Sequence, residues 1–450
     1  MPLLLAHAGG GERGLDRDRP ITQGNAKPRA LPTRFLAALV MRACSSATLA
    51  RLSPRASARR RLRAAMAAVS RADSLLGGPE AVRDTTVLVV GGGMSGLGAA
   101  VTLVSAGVST LLVEQGRGVG GRVCSRRVRS HGELSFDHGC QYFAPKPGDP
   151  FASVLAELES AGVVARWGAG GRLGSVSCDA AGRLDWSSFV PQPPSKAAFV
   201  GVPTASGVGR HLLANAVARP GAGALAVATG TRAAPESLRR DGDAWLVSTH
   251  PKPEPGKTTT TRHSVVIAAG SASSTFNVIN PVAASLATAA GAVRADACWG
   301  LLVAFAAPLF GDGCVADGVL VSGSSSLAWI ARNSSKPGRQ TDSGADCWVV
   351  HATPLWSNER RELKADAAAQ ALLQEFIAAC GFASAPPAVH VEAFLWNAAF
   401  PLNPASTAEG CYADASLRLA MAGDWCIGPR AGDAWASGVA AAGAVLRDML

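Results

Sequence analysis

The residues of this chain best suited to holding a ligand lie between Thr85 and Glu114. Thr85-Thr86-Val87-Leu88-Val89-Val90 is a short apolar, β-branched run of the kind that a strand buried in a parallel sheet shows. It leads into Gly91-Gly92-Gly93-Met94-Ser95-Gly96, then into an apolar stretch that reads as a helix to about Ala106, then into a second strand from Thr110 that ends in Glu114. Each residue type in this strand, G-x-G-x-x-G, helix, strand, acid order has a physical task. Gly91 permits the tight turn, Gly93 lets the backbone approach a pyrophosphate, and Gly96 lets the helix pack on the strand. The helix start at Met94 and Ser95 offers N–H groups to an anion. Glu114, 23 residues after Gly91, stands where a carboxylate can accept both hydroxyls of an adenosine ribose. The chemistry implied is dinucleotide binding.

The next residues decide which dinucleotide. Glu114 to Val123 forms an E-x5-G-G-R-V run that resembles the flavin-binding signature of the FAD-dependent amine oxidase superfamily, and the resemblance places Gly121 and Arg122 at the FAD phosphates. Phe136-Asp137-His138-Gly139-Cys140-Gln141-Tyr142 is similar to the D-x-G-A-Q-Y segment of the renalase-like branch, with Cys140 in place of Ala. That similarity implies that Gln141 and Tyr142 lie along the FAD. Gly209-Arg210-His211-Leu212-Leu213 resembles a helix of the same family, and Thr229 to Ala233 resembles the strand after which Ala233 meets the adenine. Near the C-terminus, Gly423-Asp424 followed by Gly432-Asp433-Ala434-Trp435-Ala436-Ser437-Gly438 resembles the second signature. By that resemblance Asp424 holds the ribityl or phosphate region, and a helix N-terminus around Ala434, Trp435 and Ala436 faces the flavin where charge gathers on reduction. The chain is thereby identified as a renalase-like member of the superfamily, with matching segments over about 360 residues.

These motifs need an α/β fold: a Rossmann-type FAD-binding domain of the amine-oxidase type with an inserted α+β substrate domain. The cofactor domain is discontinuous, in 84–148, 196–282 and 399–450. Residues 149–195 and 283–398 make the substrate domain, with a helix from Phe151 to Ala161 and a Trp-bearing, Pro-rich stretch from Trp186 to Ser195. Strand-like runs follow at Cys298 to Phe305, Leu327 to Arg332, Cys347 to Thr353 and Val389 to Trp396, with a helix from about Asn358 to Cys380. Trp299, Trp329, Trp348, Trp356 and Trp396 read as core. No second G-x-G-x-x-G with flanking strand and helix exists, so an NAD(P)H domain of the disulfide-reductase type is not expected.

Composition excludes other classes. Of 450 residues, 48% are apolar and 17% charged, which is not a disordered composition. The net charge of +10 is local: residues 1–84 hold 15 Arg/Lys against 6 Asp/Glu, whereas the other 366 carry 28 against 27. The folded body therefore has no electrostatic case for nucleic acid. From Arg19 to Ala72 there are twelve Arg/Lys and no acid, with Arg59, Arg60, Arg61 and Arg63 clustered. Residues 1–83 read as a transit peptide, to the plastid first and the mitochondrion second. A basic arm, or a true start at Met41 or Met66, are the other readings. The longest apolar run, Leu301 to Phe310, is too short to span a membrane. Ten cysteines without a C-x-x-C pair, and no His cluster, imply no metal site.

The expected reaction is hydride transfer from a small molecule to flavin N5, with oxygen or another acceptor closing the cycle. Only Tyr142 and Tyr412 are present, too few for a two-tyrosine amine cage, and alignment on the A-x-x-S-G core puts Arg430 where one ring would fall. A fixed cation there favours an anionic substrate. Arg430 and His138 are the candidates for a catalytic part, His138 as a proton relay or a structural hydrogen-bonder. An isoprenoid or tetrapyrrole oxidase or desaturase, and a flavoprotein without turnover, are the alternatives. Cys411-Tyr412 lies too near Asp424 to anchor the flavin covalently, so noncovalent FAD is expected.

Overall fold

A computed structural model describes residues 85–146, 148–251, 258–310, 313–339 and 341–450. The basic segment read as a transit peptide lies outside them, as does Cys44. At the centre is a six-stranded sheet in the order β19-β20-β13-β1-β2-β9. Its parallel strands are β1 (Val87–Val90), β2 (Thr110–Glu114), β9 (Leu225–Thr229), β13 (Val265–Ala269) and β20 (Leu419–Ala422), and β19 (Tyr412–Asp414) adds an antiparallel edge. Parallel strands covered on both faces read as apolar runs, and β1, β13 and β20 are apolar throughout.

The two-residue alternation of side chains sends Val87, Val89 and Ile267 to one face, against the helices α1 (Met94–Ser105), α3 (Ser206–Val217) and α8 (Ala431–Asp448). Leu88, Val113 and Val266 face the other way, onto a three-stranded sheet of β10 (Thr231–Asp241), β11 (Ala244–Pro251) and β12 (Thr259–His263), with α4 (Ala272–Ile279) and α5 (Ala284–Gly291). This is the Rossmann-type mixed α/β fold expected from the sequence.

The second large sheet has seven strands, in the order β18-β14-β17-β16-β15-β6-β7. Five come from one stretch of chain: β14 (Ala295–Phe305), β15 (Gly318–Ser322), β16 (Leu327–Arg332), β17 (Asp346–Ala352) and β18 (Ala388–Pro401). The others, β6 (Leu173–Cys178) and β7 (Leu184–Pro191), come from the earlier insertion, and β6 joins by parallel pairing with β15. Trp186, which opens the Pro-rich stretch, is in β7. One face of the sheet packs on α7 (Ala365–Ala379) through Leu301, Val303, Leu372 and Phe376. The other meets the cofactor-side loops, where Leu302, Ala304 and Val349 contact Val128, Leu134 and Phe136.

One long helix was expected from Asn358 to Cys380, and two are found: α6 (Pro354–Glu359) and α7. Thr353 caps α6 by accepting from the Trp356 N–H, and Pro354 suits the first turn. The helix α6 ends at Arg360, which leaves helical geometry and whose carbonyl accepts from the Trp299 indole at 3.0 Å. The helix α2 (Phe151–Ser160) covers its expected span to within one residue; a short two-stranded ladder of β3 (Ser125–Arg127) with β4 (Ser135–Asp137) precedes it, and one of β5 (Val164–Arg166) with β8 (Phe199–Gly201) follows it.

Among the described residues no helix is long and apolar enough to cross a membrane, the cysteines are free, and no cluster of His, Cys, Asp or Glu could hold a metal ion.

Candidate functional site

A cleft of about 480 Å³ runs along the C-terminal ends of β1, β2 and β13. In an open parallel sheet that is where ligands bind. Gly91 turns the chain with φ of +107°, and a side chain there would overlap the Ala269 carbonyl. Gly96 sits so close on the Gly91 carbonyl that α1 could not dock with a larger residue. Gly93, the N-cap of α1, has no atom within 4 Å of where a Cβ would stand, and it lines the open cleft with Met94 and Ser95. The strand, turn and helix thus present bare backbone and the positive end of a helix to the cleft. Gly121 closes the floor, its Cβ position 3.0 Å from the Gly93 Cα, and the Gly120 N–H donates to the Gly92 carbonyl at 2.7 Å.

Glu114 is buried at the end of β2 and lines the cleft. Its oxygens accept from the Gly92 and Gly116 N–H groups at 2.7 and 2.5 Å. Two backbone donors fix the carboxylate plane and leave lone pairs toward the cleft. Ala233 lines the same end. At the other end Arg122 donates to Asp424 at 2.7 Å and to the Ala399 carbonyl at 2.9 Å, tying together three segments remote in sequence. Asp424, Ala434 and Arg430 line this end too.

Other expected positions fall outside the lining. Gly423 supports the site from behind, donating to Ser437 at 3.0 Å, and Trp435 packs on Phe151. Ala436 is half-buried in α8, and neither it nor Trp435 faces the cleft. Gln141 and Tyr142, expected along the cofactor, point into the interface with the seven-stranded sheet. Gln141 donates to the Asp137 and Gly139 carbonyls and accepts from Lys336 at 3.2 Å, and Tyr142 packs against Trp167 and Trp329. Cys140 takes the cleft-facing place instead, its buried thiol pushed up from the ordinary range by desolvation.

Arg430 lines the cleft, but its charge is committed. It donates to both Asp433 oxygens, at 3.0 and 2.7 Å, and stands 3.7 Å from Asp149. His138 is buried outside the cleft between Phe394 and Trp396. Burial, then the nearby Arg126, brings its pKa down to about 4, so the ring is neutral at physiological pH. Its carbonyl accepts from Trp396 and from His351, both at 3.1 Å. These contacts are those of a structural histidine.

Beneath this segment lies a charge cluster that sequence reasoning missed. Asp137 accepts from Lys336 at 3.4 Å and Arg339 at 2.6 Å, all three fully buried, and from Ser125 at 2.5 Å. Burial alone would raise the Asp137 pKa, but the two cations and Ser125 hold it well below the carboxylate range. Burial lowers Lys336 to about 8. Trp396, Asn397 and Ala398 also line the cleft without having been anticipated. The only signal for Trp396 was its type, which pointed to core.

A family model described as an NAD(P)-binding Rossmann-like domain matches residues 89–158. A putative protoporphyrinogen oxidase from Exiguobacterium sp. 255-15 superimposes with a TM-score of 0.59 at 11% identity, over 80% of this chain and 98% of that one. Wild-type putrescine oxidase bound to putrescine gives 0.57 at 12% identity, over 81% and 99%. A double mutant of the same oxidase gives the same values. The chain therefore has the mixed α/β fold of these oxidases, built on a Rossmann-like dinucleotide-binding domain. At such identities the likeness concerns the fold.

Proposed function

We propose that this chain is an FAD-dependent oxidoreductase of the amine oxidase superfamily acting on a small organic molecule. The observation that carries the proposal is the continuity of the cleft from Glu114, past the bare backbone of Gly93 and the start of α1, to the Arg122–Asp424 pair. These residues fit FAD. Glu114 would take the adenosine ribose hydroxyls, the α1 N-terminus and Arg122 the pyrophosphate, and Asp424 with the start of α8 the flavin end. Bound FAD would supply a two-electron acceptor at N5, reoxidised by oxygen or another acceptor. The protein's part is to hold, orient and exclude water. Glu114 is held by two N–H groups, Arg122 by a carboxylate and a carbonyl, and the seven-stranded sheet closes one side.

The renalase-like subtype rests on sequence resemblance, and the anionic substrate rested on Arg430, whose pairing with Asp433 and Asp149 withdraws that support. The plastid or mitochondrial address of residues 1–83 remains a proposal that a reporter fusion tests. The cofactor is tested by purifying the chain and precipitating it with acid. Yellow colour should pass to the supernatant, as noncovalent FAD requires. Glu114→Ala should lower FAD affinity by at least tenfold, since hydrogen bonds to a charged group are worth roughly 1.5 to 3 kcal/mol each and tenfold needs about 1.4. A colourless wild-type protein that takes up no added FAD would refute the assignment.

A further inference from the structure

The flavin end of the cleft has a wall whose role the cofactor reading does not explain. Trp396 on β18 lines the cleft beside Asn397 and Ala398, half-buried. Its ring is fixed on every other side. The indole N–H donates to the His138 carbonyl, Phe394 stands edge-on at 4.8 Å, and His138 is tilted against it at 4.9 Å. Gly139 leaves room for it, because a Cβ there would lie 3.2 Å from the indole ring. A large, rigid aromatic surface is thus presented to the cleft at little conformational cost.

Each guanidinium around this wall has a carboxylate partner. Arg122 is bound to Asp424, Arg430 to Asp433 with Asp149 nearby, and Arg126 to Glu392. The carboxylate lining this end, Asp424, is engaged by Arg122, so it is poorly placed to hold an ammonium. The guanidinium groups are engaged likewise, so they are poorly placed to hold an anion. The other titratable neighbours are neutral at physiological pH: His138 is buried, and the Cys140 thiol is raised. What remains for recognition is stacking.

We propose that Trp396, backed by Phe394 and His138, is the specificity-determining wall of the site, and that it selects a flat, conjugated organic substrate without net charge. Ring-on-ring contact would align such a molecule in the cleft, and an ionised one would lose hydration without gaining a partner. This deepens, and rests on, the reading of the cleft as a flavin site.

Benzamide, benzoate and benzylamine (protonated at pH 7.5) share one ring and differ in charge, so the FAD-loaded full chain can be titrated calorimetrically with each. Benzamide should bind at least tenfold more tightly than the other two. Trp396→Ala should weaken benzamide by tenfold or more, and Trp396→Phe, which keeps a ring, by no more than about threefold. Released flavin is measured for every variant. Benzoate or benzylammonium binding as tightly as benzamide, loss of benzamide affinity in neither variant, or flavin-loaded protein that binds none of the three would overturn the proposal. Charge discrimination and Trp396 dependence in a preparation that takes up no FAD would uphold the wall and refute the cofactor reading.

Discussion

The six-stranded and seven-stranded sheets meet at the cleft and contribute to it by different means. The first contributes mostly backbone, with the carboxylates of Glu114 and Asp424: its β1 and β13 strands run into glycines, and the closest packing is main chain on main chain, as where Gly438 of α8 lies on the Ser95 carbonyl. The second contributes side chains: Trp396 in the cleft, His351 on the His138 carbonyl, and Lys336 and Arg339 on Asp137. A cofactor shared by many proteins can be held by backbone, whose geometry is the same in all of them. A substrate particular to one protein requires side chains, and those are held by long-range packing.

The comparison breaks first at the seam. Asp137→Ala would leave two buried cations without their carboxylate, and removing one partner of a buried ion pair costs about 3 to 5 kcal/mol. Urea unfolding of the variant should show that loss. A change below about 1 kcal/mol would mean that the 333–339 loop is held by its packing rather than by charge.

A smaller effect sharpens the backbone half. Gly438→Ala puts a methyl group into the Ser95 carbonyl, and forcing an extra carbon into a packed contact costs about 1 to 3 kcal/mol. Because Ser95 opens α1 at the cleft, the variant should lose FAD retention along with stability, whereas Asp137→Ala should act on stability more than on retention. Equal retention of FAD by Gly438→Ala and the wild type, measured after gel filtration, would contradict this division.

The smallest expected effect is in the pH dependence. His138 and His351 are buried, and burial first of all brings both from the ordinary 6.5 to about 4. Between those values the unfolded chain binds protons that the folded chain does not, so stability falls as pH drops from about 6.5 to 4. Asp137, held below this window, stays charged through it. His351→Gln, which keeps an N–H for the His138 carbonyl, should remove about 1 to 2 kcal/mol of the loss between pH 7 and 5. An unaltered pH slope of the urea midpoint would show that His351 takes up its proton without unfolding.

What the sequence determined by itself was local. The Thr85 to Glu114 unit was legible because its turn, close approach and helix start depend on residues adjacent in the chain, and because apolar runs such as Val265–Ala269 suit strands covered on both faces. Four strands of the second sheet were legible as runs, but not its order, since the parallel pairing of β6 with β15 joins segments far apart. Only the tertiary structure decided the fate of the charges and rings. Arg430 reads as a free cation until Asp149 and Asp433 are brought to it, Tyr142 as a cofactor neighbour until Trp167 and Trp329 enclose it, and Trp396 as core until the cleft opens beside it. Ion pairing and ring packing are set by which distant segments meet, and no periodicity along the chain encodes that meeting.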